Sequence, residues 1–194
     1  MYDFVSGDLV EVTPAYAVIQ CHGVGFMVHI SVQTFSQVKD HQTVKLFVHQ
    51  VVREDAHLLF GFATSEEREV FRHLISVTGI GPNTARMILS SVSDSEVIHA
   101  IQNDDVSLFQ RIKGIGAKSA QRIIIDLKDK VGKFGKGVDI SVPRHNTHQQ
   151  EALSALVLLG FNKVQAGKAV DKIGKGLGPD TTVEILIKEC LKIL

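Results

Sequence analysis

Two short stretches of the chain carry the residue types that could do chemistry. Thr78-Gly79-Ile80-Gly81-Pro82-Asn83-Thr84 and Lys113-Gly114-Ile115-Gly116-Ala117-Lys118-Ser119 repeat the same Gly-Ile-Gly core 35 positions apart. The likeness extends outward, pairing Thr84 with Ser119, Ala85 with Ala120 and Ile88 with Ile123. A glycine that ends one helix, a bend, and a second glycine that opens the next leave backbone N–H groups with no side chain over them. Such amides, at the positive end of a helix, suit a phosphate. One such turn could serve only to reverse the chain. Repetition at a fixed spacing with the same flanking hydroxyl marks a duplicated unit instead. Lys118 and Arg122 follow the second copy closely enough to add charge to the amides.

Charge distribution supports a polyanion. The whole chain of 194 residues is formally neutral, with 21 basic and 21 acidic residues. Residues 1–63 carry a net −3 and residues 64–105 a net −4, whereas residues 106–136 carry +6 and residues 137–194 carry +1. The basic block, from Arg111 to Lys136, falls on the second glycine hairpin, and this favours a phosphate-rich partner over a merely solvated helix face.

Periodicity then supplies the elements that hold these residues. Residues 2–62 read as strands: Tyr16–Cys21, Gly25–Ser31, Thr43–Val52 and Leu58–Phe62 are rich in β-branched residues, with a turn at Gly23-Val24-Gly25. Five or so short strands in this length predict a small closed barrel of the OB-fold type. Arg53–His57 is a hairpin tip carrying the adjacent acids Glu54 and Asp55. From Ser65, expected to cap a helix, the period becomes helical, with further helices after Pro82, after Ser93-Asp94-Ser95-Glu96, over Asp104–Ile112 and over Ala117–Val131. Residues 132–148 are rich in glycine and polar residues and read as a flexible linker. Three short helices follow, over Glu151–Leu159, Lys163–Ile173 and Val183–Leu194, the last opened by a Thr181-x-x-Glu184 capping box.

Several chemistries are disfavoured. The G-x-x-x-x-G-K-[ST] spacing of a nucleotide-binding loop is absent, although Gly116-Ala117-Lys118-Ser119 imitates its end, so no ATP hydrolysis is expected of this chain alone. No metal cluster, nucleophile elbow or cofactor motif is present. His145 and His148 have a spacing that could hold a metal, without further ligands to support it. Glu54 and Asp55 could be metal-binding carboxylates, although neighbours on a strand face opposite ways. Cys21 and Cys190 lie far apart in apolar stretches, which predicts buried thiols in a reducing cytosol. The N-terminus lacks a basic signal-peptide region and no apolar run reaches membrane-spanning length, so a cytoplasmic location is expected.

The order of parts resembles the RuvA family of Holliday-junction-binding subunits. The resemblance rests on Val51–Phe62 (VVREDAHLLFGF), Thr78–Pro82 (TGIGP), Lys113–Arg122 (KGIGAKSAQR) and Ala152–Phe161 (ALSALVLLGF). It implies an α+β chain of four parts: an OB-fold barrel over residues 1–63, a tandem helix-hairpin-helix domain over 64–132, a flexible linker over 133–148 and a three-helix bundle over 149–194. It implies a homotetramer, or an octamer of two stacked tetramers, that holds a four-way DNA junction open and binds without regard to sequence. It assigns DNA contacts to Gly79, Gly81, Asn83, Thr84, Gly114, Gly116, Lys118, Ser119 and Arg122, and an acidic pin to Glu54 and Asp55. The implied partners are the hexameric RuvB ATPase, engaged by the C-terminal bundle, and the RuvC resolvase. No cofactor or membrane is implied. Asn83 departs from the lysine that family members often carry, so the first hairpin brings less charge. A duplex-holding accessory module of a repair nuclease or ligase is the alternative on the residues alone, and a protein scaffold with merely structural turns is a third.

Overall fold

A computed structural model describes residues 2–131, 144–174, 176 and 181–194. The chain divides into two compact units, Met1–Gly135 and Lys136–Leu194. Most of the expected linker, together with Lys133 and Lys136 of the basic block, lies outside the described residues, and so does the side chain of His145.

The first unit begins with β1 (Phe4–Val12), β2 (Tyr16–Cys21), β3 (Val24–Ile30), α1 (Val32–Val38), β4 (Thr43–Val52) and β5 (His57–Phe62). The strands close into a barrel in the order β1-β2-β3-β5-β4, with the short β3–β5 pairing parallel and the others antiparallel. Strand alternation explains the barrel interior. Ala17 and Ile19 of β2, Val28 and Ile30 of β3, and Val44, Leu46 and Val48 of β4 all point into one buried cluster. Gly61 of β5 is needed inside, because a Cβ there would run into the side chains of Val28 and Leu46.

Two local expectations change. The β2–β3 turn sits one residue earlier than its glycines suggested, at His22 and Gly23, with φ of 47° and 87°. Both central residues of this tight turn need positive φ, which a β-branched Val24 resists, so Val24 joins β3 instead. The span between β3 and β4, within a region read only as strands, contains α1. Val32, Thr34 and Val38 are poor helix formers, and tertiary contacts override them: Ser31 caps α1 by accepting from Thr34 N at 2.9 Å, and Thr34 and Val38 are buried.

The helices of the first unit are α2 (Ser65–Ile75), α3 (Pro82–Ser91), α4 (Asp94–Gln102), α5 (Val106–Gln110) and α6 (Ala117–Val131). The cap of α2 is Thr64, not Ser65: its backbone is extended and its hydroxyl accepts from Glu67 N at 3.1 Å. The expected Ser93–Glu96 capping box is formed at α4. Helix α5 starts later than expected, because Asp104 is left-handed (φ 57°) and Asp105 caps Leu108 N. The apolar stripe of α2 packs on the outside of β5, where Phe71 lies 5.3 Å from Phe60 and 4.8 Å from Phe62, ring centre to ring centre. Burying each phenylalanine contributes about 1.5–3 kcal/mol. The same core runs on through Leu74, Ile88, Phe109 and Ile123.

The barrel and these helices are joined by polar contacts as well. Glu67 is buried on α2 and accepts from Ser31 Oγ at 2.5 Å and Thr34 Oγ1 at 2.8 Å. Arg68, also buried, donates to the Asp3 carboxylate at 2.6 Å and to the Asp3 carbonyl at 2.7 Å. Burial raises the Glu67 pKa, with the two hydroxyls opposing the rise. Burial lowers the pKa values of His29, His49 and His73. The nearby guanidinium of Arg86 adds to this at His29, as do those of Arg72 and Arg68 at His49.

The sign of the pH response follows. Each histidine takes its proton more readily when unfolded, so its contribution is full above about pH 6.5 and is lost as pH falls below that. Glu67 works the other way: the folded state protonates first, and stability is gained as pH falls through its raised pKa. Three histidines thus act against one carboxylate. The expected result is a fall in stability between pH 7.5 and 5.5, softened by solvent screening of the partly exposed rings. Chemical denaturation at the two pH values checks it, and His29→Leu with His49→Leu should flatten the dependence.

The second unit contains α7 (Arg144–Leu158), α8 (Lys163–Gly174) and α9 (Val183–Leu191), packed around Ala152, Leu156, Val170, Leu186 and Cys190. Helix α7 begins within the expected linker, because the polar run after Pro143 contains no helix breaker. It ends at Leu158, and the turn that follows closes at Gly160, whose φ of 100° lets Phe161 N reach Leu156 O at 3.1 Å. The cap of α9 is Thr182, one residue after the expected Thr181, and its hydroxyl does not cap the helix amides. Instead the Thr182 side chain hydrogen-bonds Glu184 and lowers its pKa. His148 Nδ1 donates to the Thr181 carbonyl at 3.1 Å. Cys190 is buried as expected, whereas Cys21 is only half-buried, its thiol directed at Ser6 O at 3.0 Å. Among the described residues, no helix is long and apolar enough to cross a membrane.

Candidate nucleic-acid interface

The duplicated segments fold alike. Gly79 and Gly114 are both left-handed, at φ 92° and 91°. Each lets the following isoleucine turn inward: Ile80 N donates to Val77 O at 3.0 Å, and Ile115 N to Ile112 O at 3.1 Å. Both isoleucines are buried and act as pegs under their turns. The second glycine of each pair opens the next helix. Ala85 N donates to Gly81 O and Ala120 N to Gly116 O, each at 2.9 Å. Gly81 has no side chain with which to cap α3, so the Asn83 and Thr84 amides at its first turn stay available. A Cβ on any of Gly79, Gly81, Gly114 or Gly116 would meet nothing within 4 Å, so the space in front of both turns is open. At Gly79 and Gly114 the need for glycine is therefore conformational, and at Gly81 and Gly116 the benefit is unobstructed approach.

The two copies meet at one groove. An open concavity of about 580 Å³ is lined by Thr78 and Gly79 of the first turn and by Lys118, Ser119, Gln121, Arg122, Ile125 and Asp126 of α6. Four of the residues assigned from the sequence, Gly79, Lys118, Ser119 and Arg122, thus share a surface. Gly81, Asn83, Thr84, Gly114 and Gly116 lie outside this lining, at the turns and helix starts beside it. Sequence reasoning missed Thr78, Gln121, Ile125 and Asp126. The α6 residues were within reach of periodicity, since positions 118, 121, 122 and 125 fall on one helical face.

The basic block is less uniform than its count suggested. Lys113, Lys118 and Arg122 are exposed and make no ion pair among the described residues, whereas Lys128 is paired with Asp104 at 2.5 Å and Lys130 donates to Ser76 Oγ at 3.2 Å. Asp126 places an acid in the groove itself. The cations available to a phosphate therefore concentrate at the start of α6, next to its open amides. Chemically, the groove can bind an anionic backbone through amides, a hydroxyl and two exposed cations. Among the described residues, no group of three or more His, Cys, Asp and Glu side chains is placed to hold a metal.

Glu54 and Asp55 stand apart from this groove. They form the exposed tip of the β4–β5 hairpin, closed by Arg53 N donating to Ala56 O at 2.9 Å. They lie in a bend, not on a strand, so the alternation that would separate their side chains does not apply.

A small five-stranded barrel carrying two glycine-turn helix pairs, with both turns open to solvent, is the architecture of a tandem helix-hairpin-helix protein. Comparisons with known proteins narrow this class. The RuvA N-terminal domain model matches residues 1–61, the SAM-like tandem helix-hairpin-helix model matches residues 71–129, and the RuvA C-terminal domain model matches residues 147–194. Over 194 residues, the whole of both chains, the protein is 50% identical to the Holliday junction branch migration complex subunit RuvA of Christiangramia forsetii. It is 48% identical over the same full length to the subunit of that name from Flavobacterium psychrophilum, and 43% identical over 202 residues to that of Bacteroides fragilis. The chain belongs to the RuvA family.

Proposed function

We propose that this protein is the DNA-binding subunit of a branch migration complex, and that it binds four-way junctions without regard to base sequence. The observation that carries this reading is the convergence of the first glycine turn with Lys118, Ser119 and Arg122 on one open groove, in a chain similar over its full length to a Holliday junction branch migration complex subunit. Amides and cations of this kind recognise phosphates, and phosphate contacts carry no sequence information. Preference for a junction then comes from geometry: symmetric copies of the chain, four or two sets of four, engage several arms at once. Glu54 and Asp55 stand at the crossover, where their charge repels the phosphates of an ordinary duplex. The C-terminal unit docks the RuvB ATPase, which supplies the ATP-driven motion, and the RuvC resolvase acts on the same junction. The complex works in the cytoplasm, where the chromosome is.

A gel-shift comparison of a four-way junction with a linear duplex of matched length tests the reading. Binding to the junction should be the tighter, and equal binding would refute the assignment. The pair Glu54→Gln and Asp55→Asn extends the test, because it removes charge while keeping shape at an exposed hairpin tip. Duplex affinity should then rise by roughly tenfold, as expected for relief of a like-charge contact, and junction preference should fall. An unchanged junction-to-duplex ratio would return these acids to an ordinary solvated turn.

A further inference from the structure

The two hairpins are built alike and mounted differently. On α3 the side chain of Arg86 reaches back to the barrel, where its Nη1 donates to Ala15 O at 2.8 Å and to Ile30 O at 3.4 Å. One helical turn later Ser90 Oγ accepts from Val32 N, the first residue of α1, at 3.2 Å, while donating to Arg86 O at 2.8 Å. Arg86 is half-buried, and among the described residues no carboxylate pairs with it. A cation placed against main-chain carbonyls without an acid is held by hydrogen bonding, here from the single nitrogen Nη1 to both carbonyls. Ala15 O is itself fixed by Ile30 N at 3.1 Å, so the acceptor belongs to the hydrogen-bonded rim of the barrel.

In the second copy the positions equivalent to Arg86 and Ser90, 35 residues on, are Gln121 and Ile125. Both are exposed, Ile125 at 72%, and both line the open groove. The same helix face is thus a barrel contact in α3 and a groove wall in α6. The unequal mounting goes with unequal charge: the braced hairpin carries Asn83 where the unbraced one carries Lys118.

We infer that Arg86, seconded by Ser90, is a positioning residue for DNA shape: it locks the first glycine turn to the barrel that carries Glu54 and Asp55, so that this hairpin sets geometry while the second supplies affinity. The inference rests on the junction-binding reading above. A turn held rigidly relative to the acidic hairpin can meet a duplex arm only when that arm leaves the crossover at a fixed distance and angle. Among the described residues, the second turn has no such tie to the barrel: its equivalent face, at Gln121 and Ile125, is open groove.

The test uses the full-length chain, a four-way junction and a linear duplex, each titrated over a range of salt. Arg86→Gln should lower the junction-to-duplex affinity ratio by at least about tenfold, the low end of the scale of one hydrogen bond from a charged group. Duplex affinity and the salt slope should be unchanged. Ser90→Ala should lower the ratio less, and Arg86→Lys, which keeps the charge and a donating ammonium on a shorter reach, should restore part of it. Ile88→Val, a core change on the same helix, controls for stability and should leave the ratio alone. Should Arg86→Gln fail to fold in a thermal melt, Ser90→Ala and Arg86→Lys decide the matter. A wild-type ratio in the brace variants would overturn the inference, and so would a shallower salt slope, which would make Arg86 a phosphate contact. A wild-type chain with no junction preference would instead remove the functional reading on which the inference stands.

Discussion

Replacing Lys118 and Arg122 together with alanine is expected to weaken DNA binding more than any other surface change in the first unit. Both side chains are exposed, make no ion pair among the described residues, and flank the open amides at the start of α6 in the groove shared with Gly79. Counterion release makes each phosphate contact worth about 0.9 in the slope of log affinity against log salt. Removing both cations should therefore reduce the slope by about 1.8 per engaged subunit, and affinity by roughly 30-fold per subunit at about 0.15 M salt. The effect should be the same for any base sequence. Lys128→Ala is the matched control, because its ammonium is already occupied by Asp104. Titrations of junction DNA at several salt concentrations give both numbers. An unchanged slope would place the DNA face elsewhere on the molecule.

Removing the C-terminal unit should have the second large effect, on a different quantity. A fragment of residues 1–142 contains the whole of the first compact unit, Met1–Gly135, with both of its cores, the glycine turns, the cations of α6 and the acidic hairpin. The second unit has a separate core of its own around Leu156, Val170 and Leu186. The fragment should therefore fold and bind junctions with near wild-type affinity, while branch migration driven by RuvB and ATP falls to background. Leu158, Leu159 and Val164 of the second unit are exposed at 88%, 61% and 65%, and apolar side chains of this kind are what a docking contact would cover. Migration at the full-length rate by the fragment would show that the motor is engaged through the first unit instead.

Much of this molecule is written in local sequence. The paired glycines with their inward isoleucines, the Ser93–Glu96 box, Pro82 at the start of α3 and the strands β2 and β4 all depend on residues within a few positions of one another. Backbone permissiveness, capping and side-chain alternation act over that range, so the sequence alone determined the repeat, the barrel strands and the chemistry offered at each turn. What only the tertiary structure decided involves partners far apart in the chain. Helix α1 forms against its own propensities because Ser31 and Thr34 meet Glu67, more than thirty residues on. The caps moved to Thr64 and Thr182 because backbone direction at the helix entry, not the presence of a hydroxyl, selects the capping residue. Lys128 was removed from the available charge by Asp104, and Gly79 was brought to Lys118 across 39 positions. Arg86 and Gln121 occupy equivalent places in a repeat, yet one grips the barrel and the other faces an open groove. Local periodicity gives both the same helix face, and only the packing of α3 beside the barrel tells them apart.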